Sequence, residues 1–151
     1  MSVLEILDSM EYGPAPEARD QADAWLAAHK GSFKLFIGGK WRAAKSGDSF
    51  ATYNPADGKK LGVLSQAGKA DVNAAVKAAR AAQGNWAAIG GHARARYLYA
   101  LARLVQKHSR LLAVLETLDN GKTVRETRDI DVPLVARHFY HHAGWAQLMK
   151  T

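Results

Sequence analysis

The spacing of apolar residues along most of this chain is that of amphipathic helices. The clearest case is residues 111–122, where leucines recur at steps of three and four and Asn120-Gly121 follows directly. Such steps bring side chains to one helix face, and glycine is favoured just past a helix end. We therefore predict a short buried helix that stops at Gly121. Its apolar face consists of Leu111, Leu112, Leu115 and Leu118.

Further helical patterns lie before this segment. Residues 3–10 and 18–29 form two short ones, with Gly13, Pro14 and Pro16 between them. A longer pattern runs from Lys69 and is predicted to close at Gly84, because glycine is a poor residue for a helix interior. After a predicted loop, Asn85–Gly91, the next helix spans Ala93–His108, and Ser109 is predicted to cap the leucine-rich helix.

The last helical pattern opens at a capping box. Thr123 and Glu126 have the spacing of a helix cap and its reciprocal acid. Apolar residues then keep helical steps to near Met149. Pro133 is predicted to kink or divide this helix, with Asp131 as a second cap, because proline removes a helix donor.

Strand patterns are confined to residues 33–66. Gly38-Gly39 and the turn residues 54–58 separate short apolar runs, which predicts tight turns between antiparallel strands. Four strands of this kind need a partner surface, because a small sheet alone is marginally stable. The predicted strands are Lys34–Ile37, Lys40–Arg42, Ser49–Tyr53 and Leu61–Gln66.

The predicted fold class is a helix-rich α+β piece, with a small antiparallel β-hairpin structure and four to six helices. We divide it into an N-terminal helical appendage, residues 1–32, and a main body, residues 33–151. The 151 residues are 48% hydrophobic and 23% charged, as in globular proteins. No apolar run has the length of a membrane span, and Glu5 and Asp8 interrupt the early apolar segment, so we expect a cytoplasmic protein without a membrane partner.

Two further features of the composition limit the chemistry. The chain has no cysteine, which excludes disulfides and a thiolate nucleophile within these residues. Its net charge of +7 is compatible with a nucleic-acid footprint or with the unbalanced part of a longer protein. Because the arginines are spread through helical patterns, we favour the second interpretation and expect no nucleic-acid partner.

Two motifs have a simpler structural explanation than a functional one. Gly121-Lys122-Thr123 is the ending of a phosphate-binding loop, but Glu116 stands where that loop needs glycine, and a helix precedes it. His138 and His142 have a spacing that can hold a metal, but Phe139 stands where a zinc-protease motif has glutamate. We interpret the first as a helix stop and the second as a solvated helix face.

An ordered set of short motifs resembles the N-terminal part of NAD(P)-dependent aldehyde dehydrogenases, from about Lys34 onward. The resemblance implies the N-terminal part of a Rossmann-like α/β fold and an incomplete cofactor-binding domain in residues 33–151. The motifs are Phe36–Trp41, Asn54–Gly58, Asp71-Val72, Trp86, Arg94–Arg96, Leu115–Lys122 and Ala143–Trp145. The opening segment, with residues 5–17 and 24–26, resembles the family 16 branch, which has two tandem dehydrogenase modules.

The resemblance also implies a reaction and a set of partners. Members of the family oxidise an aldehyde to a carboxylic acid and pass a hydride to NAD or NADP. A cysteine thiolate attacks the aldehyde, preorganised donors hold the oxyanion, and a glutamate serves as base. These groups lie downstream of the matching segment, so the 151 residues alone are expected to be inactive. The expected partners are the remainder of the polypeptide, further copies in a homo-oligomer, and a small aldehyde.

Two minor sites carry over from the family to this sequence. Some members hold a Na⁺ or K⁺ ion with backbone oxygens before the Asn-Pro turn and with an acid, at positions matching Thr52, Tyr53 and Asp119. The alternative is that Asp119 helps to end its helix. Leu134 matches a position at the substrate entrance. Two rival hypotheses remain for the whole chain: a stand-alone interaction module that dimerises through its apolar surface, and a nucleic-acid binder.

Overall fold

The computed structural model describes residues 2–5, 15 and 17–149 of the chain. Residues 3–5 are helical, and the rest of the predicted first helix lies outside the described residues. The elements that follow are α1 Asp20–Ala28, β1 Ser32–Phe33, β2 Leu35–Ile37, β3 Lys40–Arg42, β4 Ser49–Tyr53, β5 Lys60–Ser65, α2 Lys69–Ala88, α3 Gly90–Lys107, α4 Ser109–Asn120, α5 Val124–Glu126, a π-helical turn Thr127–Asp131, and α6 Val132–Leu148. The predicted helix-rich α+β class is confirmed.

The strands form two small sheets, so the prediction of one antiparallel sheet was wrong. The predicted hairpin is present as β2 and β3, and β4 pairs antiparallel with β5. The unexpected strand is β1, which pairs parallel with β5 and places Ser32 opposite Val63. Gly62 permits this approach, because a Cβ there would lie 3.0 Å from the Phe33 ring. Such a pairing between distant segments leaves no local pattern in the sequence.

One group of buried side chains joins the N-terminal helix to α4, and we call it the aliphatic core. Its buried members are Ala22 from α1 with Val114 and Leu118 from α4. Leu118 and its neighbours confirm the predicted buried helix, whereas Leu112 is 38% exposed. Partly buried residues complete the aliphatic core: Leu61, Leu111, Leu115 and Val124.

A second group of small residues joins α3 to α6, and we call it the alanine seam. It buries Ala95 against Ala143 and Ala146. The two helices lie so close that a Cβ at Gly91 would overlap the backbone oxygen of Ala146. Two neutral hydrogen bonds flank the seam, from Tyr140 to Gln106 and from Gln147 to Tyr99.

Three predicted helix boundaries were wrong. Helix α2 continues through Gly84 to Ala88, since one glycine costs only about 1 kcal/mol in a long helix, so the first four residues of the predicted loop are helical. The real break is at Ile89-Gly90, where Gly90 has φ of +79°. Ser109 opens α4 without making a side-chain cap.

The last helix also departs from its predicted form. Pro133 lies at the second residue of α6, directly after the π-helical turn Thr127–Asp131, so the helical run changes from π to α form next to the proline, which cannot donate a backbone hydrogen bond. Asp131 makes no cap and instead pairs with Lys122. The π-helical turn that precedes α6 is wider than an α-helix, so it shifts the side chains of α6 around the helix axis relative to those of α5. Among the described residues, no helix is both long enough and apolar enough to cross a bilayer.

Candidate functional site

Two of the sequence-predicted cation ligands lie together where β4 meets the end of α4. The Thr52 hydroxyl donates to a carboxylate oxygen of Asp119 at 2.5 Å, across 67 residues of sequence. Tyr53 follows on the strand, at an irregularity where the β4–β5 register shifts, and its side chain is 55% exposed. The fold therefore brings the acid beside the strand, with the threonine side chain as its partner.

The Asn54–Gly58 turn continues from β4 and is closed by its own first residue. The buried Asn54 side chain accepts from the amide of Ala56 at 3.0 Å, and its backbone oxygen accepts from Gly58 at 2.8 Å. These bonds give partners to backbone amides of the turn that strand pairing does not reach. The turn is therefore preorganised by the Asn-Pro-Ala-Asp-Gly sequence itself.

Gly121 joins this turn to the end of α4. It ends α4 in the left-handed conformation, with φ of +80°. A Cβ at this position would also lie 2.8 Å from Cγ of Pro55. Glycine is therefore needed for two reasons, the backbone conformation and the close approach of the turn. This confirms the predicted helix stop.

The segment after Gly121 satisfies the remaining groups of the helix ends. Asn120 accepts from the Lys122 amide at 2.8 Å, and the Thr123 hydroxyl accepts from the Glu126 amide at 3.3 Å. The predicted Thr123 cap is thus confirmed. The Lys122 ammonium pairs with Asp131 at 2.7 Å.

An open, mainly apolar groove of about 660 Å³ lies beside the Thr52–Asp119 pair. Glu116, one turn before Asp119, also lines it and accepts from the Asn120 side chain at 3.3 Å. Sequence reasoning missed Glu116, although its spacing of three from Asp119 on a helix was a usable signal. The other lining residues are Trp25, Leu26, Phe33, Leu61, Leu64, Val105, Leu112, Leu115, Val132 and Val135.

Hydrogen bonds and neighbouring charges shift the pKa of several ionisable side chains in the described residues. The guanidinium of Arg128 holds the pKa of Asp129 below its ordinary value of 3.8, mainly by a hydrogen bond at 2.7 Å. The pKa of Asp57 is also lowered, chiefly because its carboxylate accepts from the Lys59 amide. Hydrogen bonding to Asp131 raises the pKa of Lys122. Each of these contacts favours the charged form of the group whose pKa it shifts, namely Asp129, Asp57 and Lys122.

The other candidate residues lie on α6 and are also exposed. Leu134 lies in the first turn of α6 and is 43% exposed. His138 and His142 are exposed on the same helix, and the His142 ring meets His141 edge-on at 5.2 Å. Within the described part of the chain, no three His, Cys, Asp or Glu side chains are grouped to hold a metal.

The arrangement offers hydrogen-bond acceptors and negative charge, which can position a cation or a donor group. The carboxylates Glu116 and Asp119 are acceptors at the edge of the groove, and the sequence contains no cysteine. Two carboxylates at this edge favour a cation and disfavour an oxyanion. The geometry therefore suits a structural junction with a polar rim.

Comparisons with known proteins identify what the chain is similar to. The model of the "Aldehyde dehydrogenase family" matches residues 41–151. DhaS of Bacillus subtilis (strain 168) is 48% identical over 118 residues, which cover 77% of this chain and 24% of DhaS. Acetaldehyde dehydrogenase 2 of Cupriavidus necator is 39% identical over 116 residues, covering 77% and 23%.

The same similarity holds for solved structures. The NAD⁺ complex of an aldehyde dehydrogenase from Bacillus cereus superimposes with a TM-score of 0.77 at 38% identity. The match covers 85% of this chain and 26% of that enzyme. The chain thus spans about a quarter of the length of the relatives that it matches.

Proposed function

This chain belongs to the aldehyde dehydrogenase family, and from that premise we propose that it is the N-terminal segment of an NAD(P)-dependent enzyme that oxidises an aldehyde to a carboxylic acid. Residues 1–32 form its appendage, and residues 33–151 form part of its cofactor domain. The chain is a structural and oligomerising piece, inactive alone, whose catalytic thiolate comes from the rest of a cytoplasmic enzyme. NAD is the favoured cofactor, since a solved relative is described as an NAD⁺ complex.

The observation that carries this proposal is the amount of apolar surface left for a partner. Trp41, Phe36 and Trp145 are 69%, 59% and 56% exposed, and Leu148 is 72% exposed. Large apolar side chains at this exposure mark surfaces that other protein covers. The remaining three quarters of a dehydrogenase polypeptide would supply that cover.

A chimeric enzyme tests the proposal. Residues 34–149 of this chain replace the matching segment of the Bacillus cereus enzyme, and aldehyde-dependent NADH formation is followed by absorbance. We expect activity in the chimera and none in the 151-residue chain. A folded, NAD⁺-binding chimera without activity on any aldehyde that the parent enzyme accepts would contradict the proposal.

The opening segment supports a finer assignment to the family 16 branch. Its motif residues 5–17 lie mostly outside the described residues, so the assignment stands on sequence resemblance. It predicts a complete reading frame that encodes two dehydrogenase modules in tandem. A reading frame with a single module would overturn the branch assignment and leave the family unchanged.

The cation site is part of the same proposal. Thr52, Tyr53 and Asp119 would hold a Na⁺ or K⁺ ion, with Asp119 as the charged ligand beside the strand. Added KCl should then raise the melting temperature of the chain more than choline chloride does, and Asp119→Asn should remove the difference. Equal effects of the two salts would show that Asp119 serves only the helix end. Leu134 is proposed at the substrate entrance, where Leu134→Ala in the chimera should raise KM more than it lowers kcat.

The stand-alone module remains a second candidate, because the same exposed tryptophans could form a dimer interface. It predicts a stable dimer of the 151-residue chain in light scattering. A monomer at micromolar concentration would contradict it.

A further inference from the structure

The whole excess of positive charge lies in one segment of the sequence. Between Asp71 and Glu116 the chain has seven Lys and Arg and no acid, and those seven equal the excess of 21 basic over 14 acidic residues. The rest of the chain is balanced. This segment forms α2, α3 and the start of α4, so the net charge belongs to one part of the fold.

Helix α3 presents these charges in a repeated pattern. The sequence Ala93–Tyr99 is followed by a similar heptad, Ala100–Gln106, in which alanine, arginine and a large apolar residue recur seven positions apart. Arg96 and Arg103 are therefore about 10 Å apart along one face. The same spacing places Tyr97 and Leu104 one heptad apart beside the arginines, so a helix docked along this face would meet one arginine and one large apolar residue every two turns.

The exposed face of α3 combines a basic stripe with an apolar one. Arg96, Arg103 and Lys107 are exposed, and within the described part of the chain their charged groups make no ion pair or hydrogen bond. Beside them, Tyr97 and Leu104 are 60% and 50% exposed. Cations free of internal partners next to uncovered apolar groups mark a surface for an amphipathic partner.

Two shallow depressions follow this face. One, of about 780 Å³, is bordered by Arg96, Arg103 and Lys107 and has Ala100 and Leu104 in its lining. The next, of about 350 Å³, is lined by Ala93, Arg96, Tyr97 and Ala100. The small alanines leave room between the larger side chains, as holes for the knobs of a docking helix.

The helix that carries this face is firmly held. Its opposite side is the alanine seam, with Ala95 and Ala102 buried, and Tyr99 accepts from Gln147 at 3.2 Å. A rigid backbone fixes the spacing of the two arginines before any partner arrives. Binding would therefore lose little conformational entropy on this side of the interface.

We propose that the exposed face of α3 docks an acidic amphipathic helix of a partner polypeptide, with carboxylates seven residues apart opposite Arg96 and Arg103 and apolar side chains over Tyr97 and Leu104. The proposal is independent of the oxidation reaction. The basic side chains favour a partner with negative charge, and their seven-residue spacing favours a partner that is helical.

Other occupants fit this face less well. A second copy that docked by the same face would oppose like charges, which is unfavourable. A nucleic acid would pair with the arginines but would leave Leu104 uncovered by its charged backbone. A bilayer needs a broad apolar face, and half of α3 is already buried against α6.

A pair of synthetic peptides tests the proposal. One is a helical peptide of about 21 residues with Glu at three heptad positions and Leu between them, and the other carries Gln in place of Glu. Binding of each labelled peptide to the 151-residue chain is measured by fluorescence anisotropy at about 50 mM and about 300 mM salt. We expect the Glu peptide to bind at least tenfold more tightly at low salt, with the difference shrinking at high salt.

Variants locate the binding to α3. The double variant R96Q/R103Q should weaken binding of the Glu peptide by about tenfold. The matched double variant K40Q/K60Q removes two exposed cations from the sheets and should leave binding unchanged. Because all four side chains are exposed, circular dichroism should be unchanged in both proteins.

Three results would overturn the proposal. The first is equal binding of the two peptides, and the second is equal loss of binding in the two double variants. The third is binding to duplex DNA or to phosphatidylserine vesicles that is tighter than binding to the Glu peptide and that is lost in R96Q/R103Q. None of these results bears on the chimera test, because none requires the cofactor or an aldehyde.

Discussion

The aliphatic core and the alanine seam bury their surfaces with side chains of opposite size. In the aliphatic core, Leu118 and Val114 fill the space between α1 and α4. In the alanine seam, Ala95 and Ala143 let two helix backbones approach until Gly91 has no room for a Cβ. The first region should therefore suffer most from lost volume, and the second from added volume.

Loss of volume in the aliphatic core should have the largest effect. Leu118 is 8% exposed, so Leu118→Ala should lower the free energy of unfolding by about 3 kcal/mol through lost burial and the cavity left behind. Urea unfolding followed by circular dichroism measures this. The control is Leu104→Ala, on the exposed face of α3, which should change stability by less than about 0.5 kcal/mol. Similar losses in both variants would refute a distinct core at Leu118.

Addition of one methyl group to the alanine seam should come next. Gly91→Ala should lower the free energy of unfolding by about 2 kcal/mol, because the new Cβ overlaps the Ala146 oxygen and forces α3 and α6 apart. Gly84→Ala is the matched control. It lies inside α2 with nothing within 4 Å of a new Cβ, and it should stabilise the protein by up to about 1 kcal/mol. Stabilisation by both changes would show that the seam is loose.

Substitution of Gly121, at the end of the helix that carries the aliphatic core, should lower stability mainly through backbone strain. Gly121→Ala should cost about 1.5 kcal/mol, because its φ is +80° and Pro55 lies in the way. Gly58→Ala has a similar φ of +67° with nothing within 4 Å, and should cost about 1 kcal/mol. Differential scanning calorimetry measures the loss of stability in each variant, and the difference between them is the contribution of the contact with Pro55. Equal costs would mean that the Pro55 contact contributes nothing.

A fall in pH should have the smallest effect on stability, and it should weaken the contacts of the π-helical turn but not those of the alanine seam. In the described part of the chain, three salt bridges involve the π-helical turn, Lys122–Asp131, Arg128–Glu17 and Arg128–Asp129, whereas the alanine seam is flanked by neutral hydrogen bonds. The folded pKa of Asp129 is below 3.8, so its contribution is complete above 3.8 and is lost as the pH falls through the folded pKa. Asp129→Asn should therefore lose less stability than the parent chain between about pH 6 and about pH 2. Tyr140→Phe should lower stability equally at both ends of that range, and any pH dependence of its effect would contradict the assignment.

The features that sequence predicted correctly are those fixed by neighbouring residues. The stop at Gly121 and the cap at Thr123 follow from local backbone chemistry, and the hairpin at Gly38-Gly39 from its turn. The predicted helix end was six residues too early. Gly84 and Gly90 are both glycines and look alike in the sequence, but Gly84 lies inside a helix of 20 residues that tolerates it.

Long-range features were beyond a local pattern. The parallel pairing of β1 with β5 depends on how α1 and α4 pack, and nothing near Ser32 indicates it. At the candidate site, the family resemblance named Thr52 and Asp119 together, and the fold joins them by a hydrogen bond. Glu116 was missed because its role comes from the groove, which forms only when α1, the sheet and α4 meet.

The π-helical turn between α5 and α6 has a consequence for amide hydrogen exchange. Its i→i+5 bonds interrupt the regular ladder, so the helical run from Val124 to Leu148 need not open as one unit. The buried Thr127 hydroxyl, 3.1 Å from Thr117, ties the turn to α4. Protection should therefore change at the turn: amides of α6 would exchange with the opening of α3, and those just before it with the opening of α4.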